Sequence, residues 1–153
     1  MSFREDVLAV PQLAEGYRPG LQALREADRD RVRCSDTHRL RGSVDMDRAL
    51  EEAHPEEPRW DYGIGHSKSK AEEAIWVEVH DANSQHVASV RRKALWLKDW
   101  LGKHAVRLLQ ITRDDDGYVW LSTGGVSIQR GSRQARELAL AGVSFPRKRL
   151  VLD

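Results

Sequence analysis

An α/β protein, with a central mixed β-sheet flanked by helices, is the fold class this sequence predicts. Three observations carry it. Apolar and polar or small residues alternate from Trp60 to Ile64, and again from Ala74 to His80, which is the period of a strand. Val87, Val90, Ala94, Leu97 and Leu101 then recur at three- and four-residue intervals, the single buried stripe of a helix. The polar run Ser67-Lys68-Ser69-Lys70 divides the two alternating stretches. Residues 60–101 therefore read as strand, turn, strand, helix, and the rest of the chain is arranged around them.

At 153 residues the chain is long enough for one domain with a proper core. A hydrophobic fraction of 40% beside a charged fraction of 32% is a polar globular mix. No apolar run approaches the roughly 20 residues that span a bilayer. The start, Met1-Ser2-Phe3-Arg4-Glu5-Asp6, lacks the basic and apolar segments of a secretion signal, so the cytoplasm is the expected location. A single cysteine, Cys34, excludes an internal disulfide framework and any multi-cysteine zinc site. A net charge of +1 excludes a uniformly basic nucleic-acid binder and leaves such a role to a local patch. All five tryptophans (Trp60, Trp76, Trp96, Trp100 and Trp120) fall in or after the central block, which predicts an aromatic core around it.

In chain order, residues 1–16 have no clear period and read as an N-terminal arm or a short helix. Pro19-Gly20 opens a helical run over Leu21 to Ala27, proline being suited to a first turn. Val32 to Ser35 suits a short strand. Residues 36–58 are expected to be the least regular part, with Val44 and Met46 alternating like a strand, Arg48 to Ala53 suiting a helical turn capped by Asp47, and His54-Pro55-Glu56-Glu57-Pro58 a loop. Trp60, Tyr62 and Ile64 share one strand face, and the small Gly63 and Gly65 beside Asp61 imply a close approach by a ligand or a backbone. Ile75, Val77 and Val79 face opposite to Trp76, Glu78 and His80. Ser84 reads as the cap of the long helix and Gly102 as its stop. Val106 to Ile111 reads as a strand. Asp114-Asp115-Asp116-Gly117 then turns into Tyr118 to Leu121, and Thr123-Gly124-Gly125 turns again into Val126 to Ile128. Ser132 caps a last helix closed by Gly142, and Leu150 to Leu152 form a final strand.

The chemistry-bearing residues lie in the central block. Asp61 and Glu78 each interrupt an apolar strand, and His80 follows two residues after Glu78. Carboxylates on neighbouring strands can hold a divalent metal between them. An Asp on one strand, an acidic residue on the next and a helix after it resemble the PD-(D/E)XK, or restriction-endonuclease-like, nuclease superfamily, over roughly Leu21 to Ile111. Asp61 matches that family's first carboxylate and Glu78 its second, while His80 stands where the family usually has lysine. The resemblance implies a restriction-endonuclease-like core and a metal-dependent nuclease, or the nuclease subunit of a larger assembly. Mg²⁺ (or Mn²⁺) would be bound by Asp61, Glu78 and the carbonyl of Val79, since such ions favour a few carboxylate oxygens plus waters. His80, titrating near neutrality, would orient water or act as base in place of lysine. Lys93, on the following helix, is a second source of the missing positive charge, and Glu26 a possible outer acid.

Structural alternatives stand beside each reading. Asp61 and Glu78 could instead pair with arginines such as Arg25 or Arg91. Arg91, Arg92 and Lys98 form a basic helix face able to track phosphates, with Trp96 or Trp100 as a stacking surface; such faces are also often merely solvated. Asp45 and Asp47 alternate like ligands but suit turns or caps, and Asp114 to Asp116 is too short for a calcium loop. Gly63-x-Gly65 lacks the third glycine of a dinucleotide fingerprint, and Cys34 reads as structural. The rival function is a non-catalytic module of the same fold that binds a protein or a nucleic acid.

Overall fold

A computed structural model describes residues 2–153. Helix α1 (Phe3–Leu8) is capped by Ser2, whose hydroxyl accepts the Glu5 N–H, and α2 (Pro11–Ala14) follows at once. Phe3, Val7 and Leu13 are fully buried, so this segment belongs to the core and is not an arm. After the two-residue strand β1 (Tyr17–Arg18), the helix expected from Leu21 does not form. Residues 19–25 make turns, because their amides are spent elsewhere: Ala23 N–H donates to Ser43 Oγ and Arg25 N–H to the Tyr62 hydroxyl. Only α3 (Glu26–Arg29) is helical, and β2 (Val32–Cys34) comes where expected.

The stretch predicted to be irregular is largely ordered. Strand β3 (Leu40–Asp45) runs directly into α4 (Met46–Glu51), and the cap is Asp45, whose carboxylate accepts the Arg48 N–H at 2.9 Å. Residues 54–58 are indeed a loop. Strands β4 (Tyr62–Lys68) and β5 (Ala71–Ala82) form the anticipated hairpin. A 3-10 turn, Ser84–His86, leads into α5 (Val87–His104); its cap is Asn83 rather than Ser84, and Gly102 lies inside the helix.

Two further expectations fail for non-local reasons. Residues 106–110 form a helix, α6 (Val106–Gln110), with Leu108 in the core. Beyond it only Thr112 bridges to Ala74 of β5, so residues 114–116 link a helix to a strand and are no hairpin tip. Strand β6 (Tyr118–Val126) then continues through Gly124 and Gly125 with a bulge in place of a turn: Ser122 pairs with His80 and Val126 with Ala82, so four steps on β6 face two on β5. The last helix, α7 (Arg133–Leu140), is capped by Ser132 as expected, and β7 (Leu150–Leu152) ends the fold.

The main sheet has the order β1-β3-β4-β5-β6, antiparallel throughout except for β5 and β6, which are parallel. Parallel neighbours need a crossover, and α5 with α6 provides it. β2 and β7 pair in a separate two-stranded parallel sheet. The main sheet is therefore sandwiched. Phe3, Trp60, Trp76 and Trp120 pack with Val90, Leu97 and Leu101 on the helical side. Tyr62, Ile64, Ile75 and Val77 pack with Leu150 and Leu152 on the other. Trp60 thus lies opposite to Tyr62 and Ile64 and does not share their face, because β4 begins only at Tyr62. Gly63 and Gly65 do mark close approaches, but by aromatic rings: a Cβ would lie 2.5 Å from Trp76 at the first and 2.4 Å from Phe3 at the second. Among the described residues, no helix is long and apolar enough to cross a membrane.

Candidate functional site

Regular pairing of β4 with β5 stops at Tyr62 opposite Val77. One residue further, side chains take over the ladder. The Asp61 N–H donates to Glu78 Oε1 at 3.1 Å, and the Val79 N–H donates to Asp61 Oδ2 at 2.9 Å. The Asp61 carbonyl turns away to the N–H groups of Met46 and Asp47, at the start of α4. The two carboxylates predicted from sequence are therefore locked together at the sheet end where β3 passes into α4.

Lys93 completes the group. From the second turn of α5 its ammonium donates to Glu78 Oε2 at 2.6 Å, against a glutamate side chain with no exposure at all. The structural partner considered for these acids was arginine, and it is this lysine instead. Burial pushes Glu78 up to about 8, and the charge of Asp61 adds to the rise, while Lys93 opposes it. Asp61 is raised for the same leading reason, with the Val79 N–H and Lys93 pulling the other way. Burial pulls Lys93 down, but the Glu78 charge and hydrogen bond outweigh it and leave Lys93 raised. A raised glutamate implies a neutral acid near neutral pH, whereas a raised lysine implies an anionic partner. The 2.6 Å separation is that of a charge-assisted bond, and it favours the ionised pair.

The other predicted residues are placed differently. His80 shares the Glu78 face of β5, but its ring is half-exposed, bonded through Nδ1 to the Asp81 carbonyl and packed against His86 at 4.3 Å. No hydrogen bond joins it to Asp61 or Glu78. Arg91 and Arg92 are exposed on α5. Lys98 does not share their surface: its ammonium donates to the Ala141 carbonyl just after α7 and lies 4.7 Å from the Tyr118 ring centroid. Trp100 is buried and Trp96 packs edge-on against His54, so neither offers an open stacking face beside the arginines. Glu26 is exposed on α3 and does not line the cleft described next. Cys34 is a free, half-buried thiol.

In front of Asp61 lies a cleft of about 630 Å³, walled by the 23–28 turn, the β3–α4 junction, Tyr62, Val79 and Thr123. Sequence reasoning missed most of it. Asp28, Asp45 and Asp47 enter it together with Arg25 and Arg48. The available signal was the Asp45-Met46-Asp47 alternation, but only the pairing of Asp45 with Tyr62 brings that run beside Asp61. Each of these acids has a partner. Asp28 accepts from the Tyr62 hydroxyl at 2.6 Å, Asp45 caps α4, and Asp47 takes Arg59 at 2.9 Å. Among the described residues, no group of three or more His, Cys, Asp or Glu side chains is placed to hold a metal ion. What faces the cleft for that purpose is Asp61, with one oxygen bonded to Val79 and the other accepting no hydrogen bond among the described residues.

Comparison with protein-family models, curated proteins and solved structures finds no match to this chain.

Proposed function

We propose that this chain is a metal-dependent nuclease of the PD-(D/E)XK kind, in which Asp61 and Glu78 are the acidic residues and Lys93 supplies the positive group. The observation that carries this reading is the buried contact of Lys93 with Glu78, one hydrogen bond away from Asp61. The resemblance left a histidine where a lysine belongs, and the long helix returns a lysine to the same carboxylate. The order of Asp61, Glu78 and α5 along a β-hairpin and its following helix supports the restriction-endonuclease-like core.

The donor set suits Mg²⁺ or Mn²⁺ through Asp61, whose unbonded oxygen faces the cleft, with Val79 lining the same cleft. Burial raises both acids, and neighbouring carboxylates add to it, Asp61 acting on Glu78 and Asp47 and Asp28 on Asp61, an excess of negative charge that a divalent ion offsets. Glu78 itself is fully buried with both oxygens engaged, so it reaches an ion only by giving up a bond to Lys93 or to the Asp61 N–H. When bound, the ion neutralises the phosphate and acidifies a water. Lys93 keeps Glu78 ionised, and the Asp61 N–H to Glu78 bond orients Asp61 toward the cleft.

The test combines calorimetry with cleavage. Titrating Mg²⁺ and Mn²⁺ into the wild type should give saturable binding that is lost in Asp61→Asn and weakened in Glu78→Gln. Metal-dependent cleavage of DNA or RNA oligonucleotides should vanish in both variants. A wild type that binds neither ion and cleaves no oligonucleotide overturns the proposal.

The second reading, a non-catalytic nuclease-like module for a nucleic-acid or protein partner, is favoured by the saturation of Glu78. In that case the three residues are a buried structural knot, and nucleic acid binds equally well with and without divalent ions.

A further inference from the structure

The cleft holds an imbalance between its acids and its cations. Its acidic side chains are occupied: Asp28 by Tyr62, Asp45 by the Arg48 backbone, Asp47 and Glu51 by Arg59, and Asp61 in part by Val79. Its two arginines are not. Arg25, at the start of α3, and Arg48, in α4, both line the cleft and are both exposed. Neither guanidinium makes an ion pair, a hydrogen bond or an aromatic contact among the described residues. Both act on Asp45 electrostatically, lowering its pKa against the effect of burial, so they converge on one carboxylate from two different elements. The folded chain thus leaves two exposed, unpartnered guanidinium groups and one open Asp61 oxygen facing a single cavity, whose five carboxylates against two arginines also give it a net negative charge for a divalent ion to offset.

An arginine fork matches phosphate oxygens in a bidentate manner. We infer that Arg25 and Arg48 are the phosphate-binding residues of this protein, gripping the backbone of a nucleic-acid strand across the cleft in front of Asp61. This inference rests on the nuclease reading for the direction of the strand past Asp61, but the grip itself needs no catalysis. It also relocates the phosphate track. Arg91 and Arg92 lie on α5 and do not line this cavity, and Lys98 is committed to the end of α7. A cavity of about 630 Å³ is of the size of a small-ligand pocket, suited to a short stretch of one strand rather than to the full width of a duplex.

Fluorescence anisotropy with labelled 20-residue single strands of DNA and RNA, and with the DNA duplex, tests this directly in EDTA and in Ca²⁺. The wild type should bind a single strand more tightly than the duplex. Arg25→Ala/Arg48→Ala should weaken binding at least tenfold, and should flatten the dependence of log K on log salt by about 1.4, at about 0.7 per lost single-strand phosphate contact. Arg25→Lys/Arg48→Lys should restore part of the affinity, and thermal melting of that variant should match the wild type, because the charges facing Asp45 are kept. Arg91→Ala/Arg92→Ala should stay within twofold of wild type. Equal binding by the Arg25/Arg48 variant, loss through Arg91/Arg92 instead, or no binding by the wild type overturns the inference. The two readings fail separately. Binding through Arg25 and Arg48 without metal-dependent cleavage keeps the clamp and removes the nuclease; cleavage lost in Glu78→Gln but untouched in the arginine variant does the reverse.

Discussion

Lys93 and Glu78, fifteen residues apart in sequence, meet through a 2.6 Å bond beneath the surface of the sheet. The bond satisfies one oxygen of a carboxylate with no exposure, and the Asp61 N–H satisfies the other. Breaking such a pair leaves a buried charge without compensation, which costs about 3–5 kcal/mol. Lys93→Met should therefore destabilise the protein by about 3 kcal/mol in urea unfolding at pH 7.5. Adding Glu78→Gln to that variant should recover at least half of the loss, since removing both charges is far cheaper than removing one. Two additive losses would mean that the pair does not couple as described.

The choice between Lys93 and His80 as the positive group has a direct kinetic consequence. His80 makes its ring contacts with His86 and Trp120 and bonds to the Asp81 carbonyl. If Lys93 serves the site, His80→Ala should retain metal-dependent cleavage within about threefold, whereas Lys93→Met should lose a hundredfold or more, as general acid–base and positioning groups do. The reverse ranking, read in the same oligonucleotide assay, returns the role to His80.

Stability should fall at alkaline pH. Burial pulls Lys93 down, but the charge and hydrogen bond of Glu78 outweigh it and hold the lysine above its ordinary value of 10.5. Above that value the unfolded chain loses the lysine proton while the folded chain keeps it, so the contribution of the pair is complete below about 10.5 and is lost as pH climbs through the folded value. Tm should therefore drop more steeply from pH 9.5 to 11 in the wild type than in Lys93→Met. Parallel Tm profiles for the two proteins would falsify the assignment.

Gly63 and Gly65 are packing residues, not a ligand cradle. A methyl at Gly65 meets the Phe3 ring at 2.4 Å, while at Gly124 nothing lies within 4 Å. Gly65→Ala should cost about 1–3 kcal/mol through overpacking, and Gly124→Ala should be near neutral. Chemical denaturation of the two variants side by side distinguishes them, and comparable losses would point to a backbone effect instead.

The alternation around Trp60 and Ala74 and the stripe from Val87 to Leu101 made the hairpin and α5 legible, and with them the positions of Asp61 and Glu78. Strand and helix periods are set by local backbone geometry, so a sequence states which residues share a face without knowing what covers it. Where local pattern was ambiguous, the tertiary structure decided. Leu21 and Leu24 suit a helix, but the amides of Ala23 and Arg25 are drawn to Ser43 and Tyr62 across the sheet. Residues 106–110 suit a strand, yet they form a helix that buries Leu108 beneath α5.

The candidate site divides in the same way. Sequence by itself singled out the two acids, since a carboxylate inside an apolar run must find a partner whatever the fold. Which cation that partner is depends on how α5 crosses the sheet. That crossing sends Lys93 down to Glu78, sends Lys98 away to Ala141, and leaves His80 at the surface. The cleft is equally non-local: Arg25, Arg48 and Asp61 come from three separate segments, and only the pairing of β3 with β4 and the turn over residues 19–25 set them around one cavity. Periodicity is written in neighbouring residues, whereas desolvation and charge pairing are properties of whatever the folded chain brings within a few ångströms.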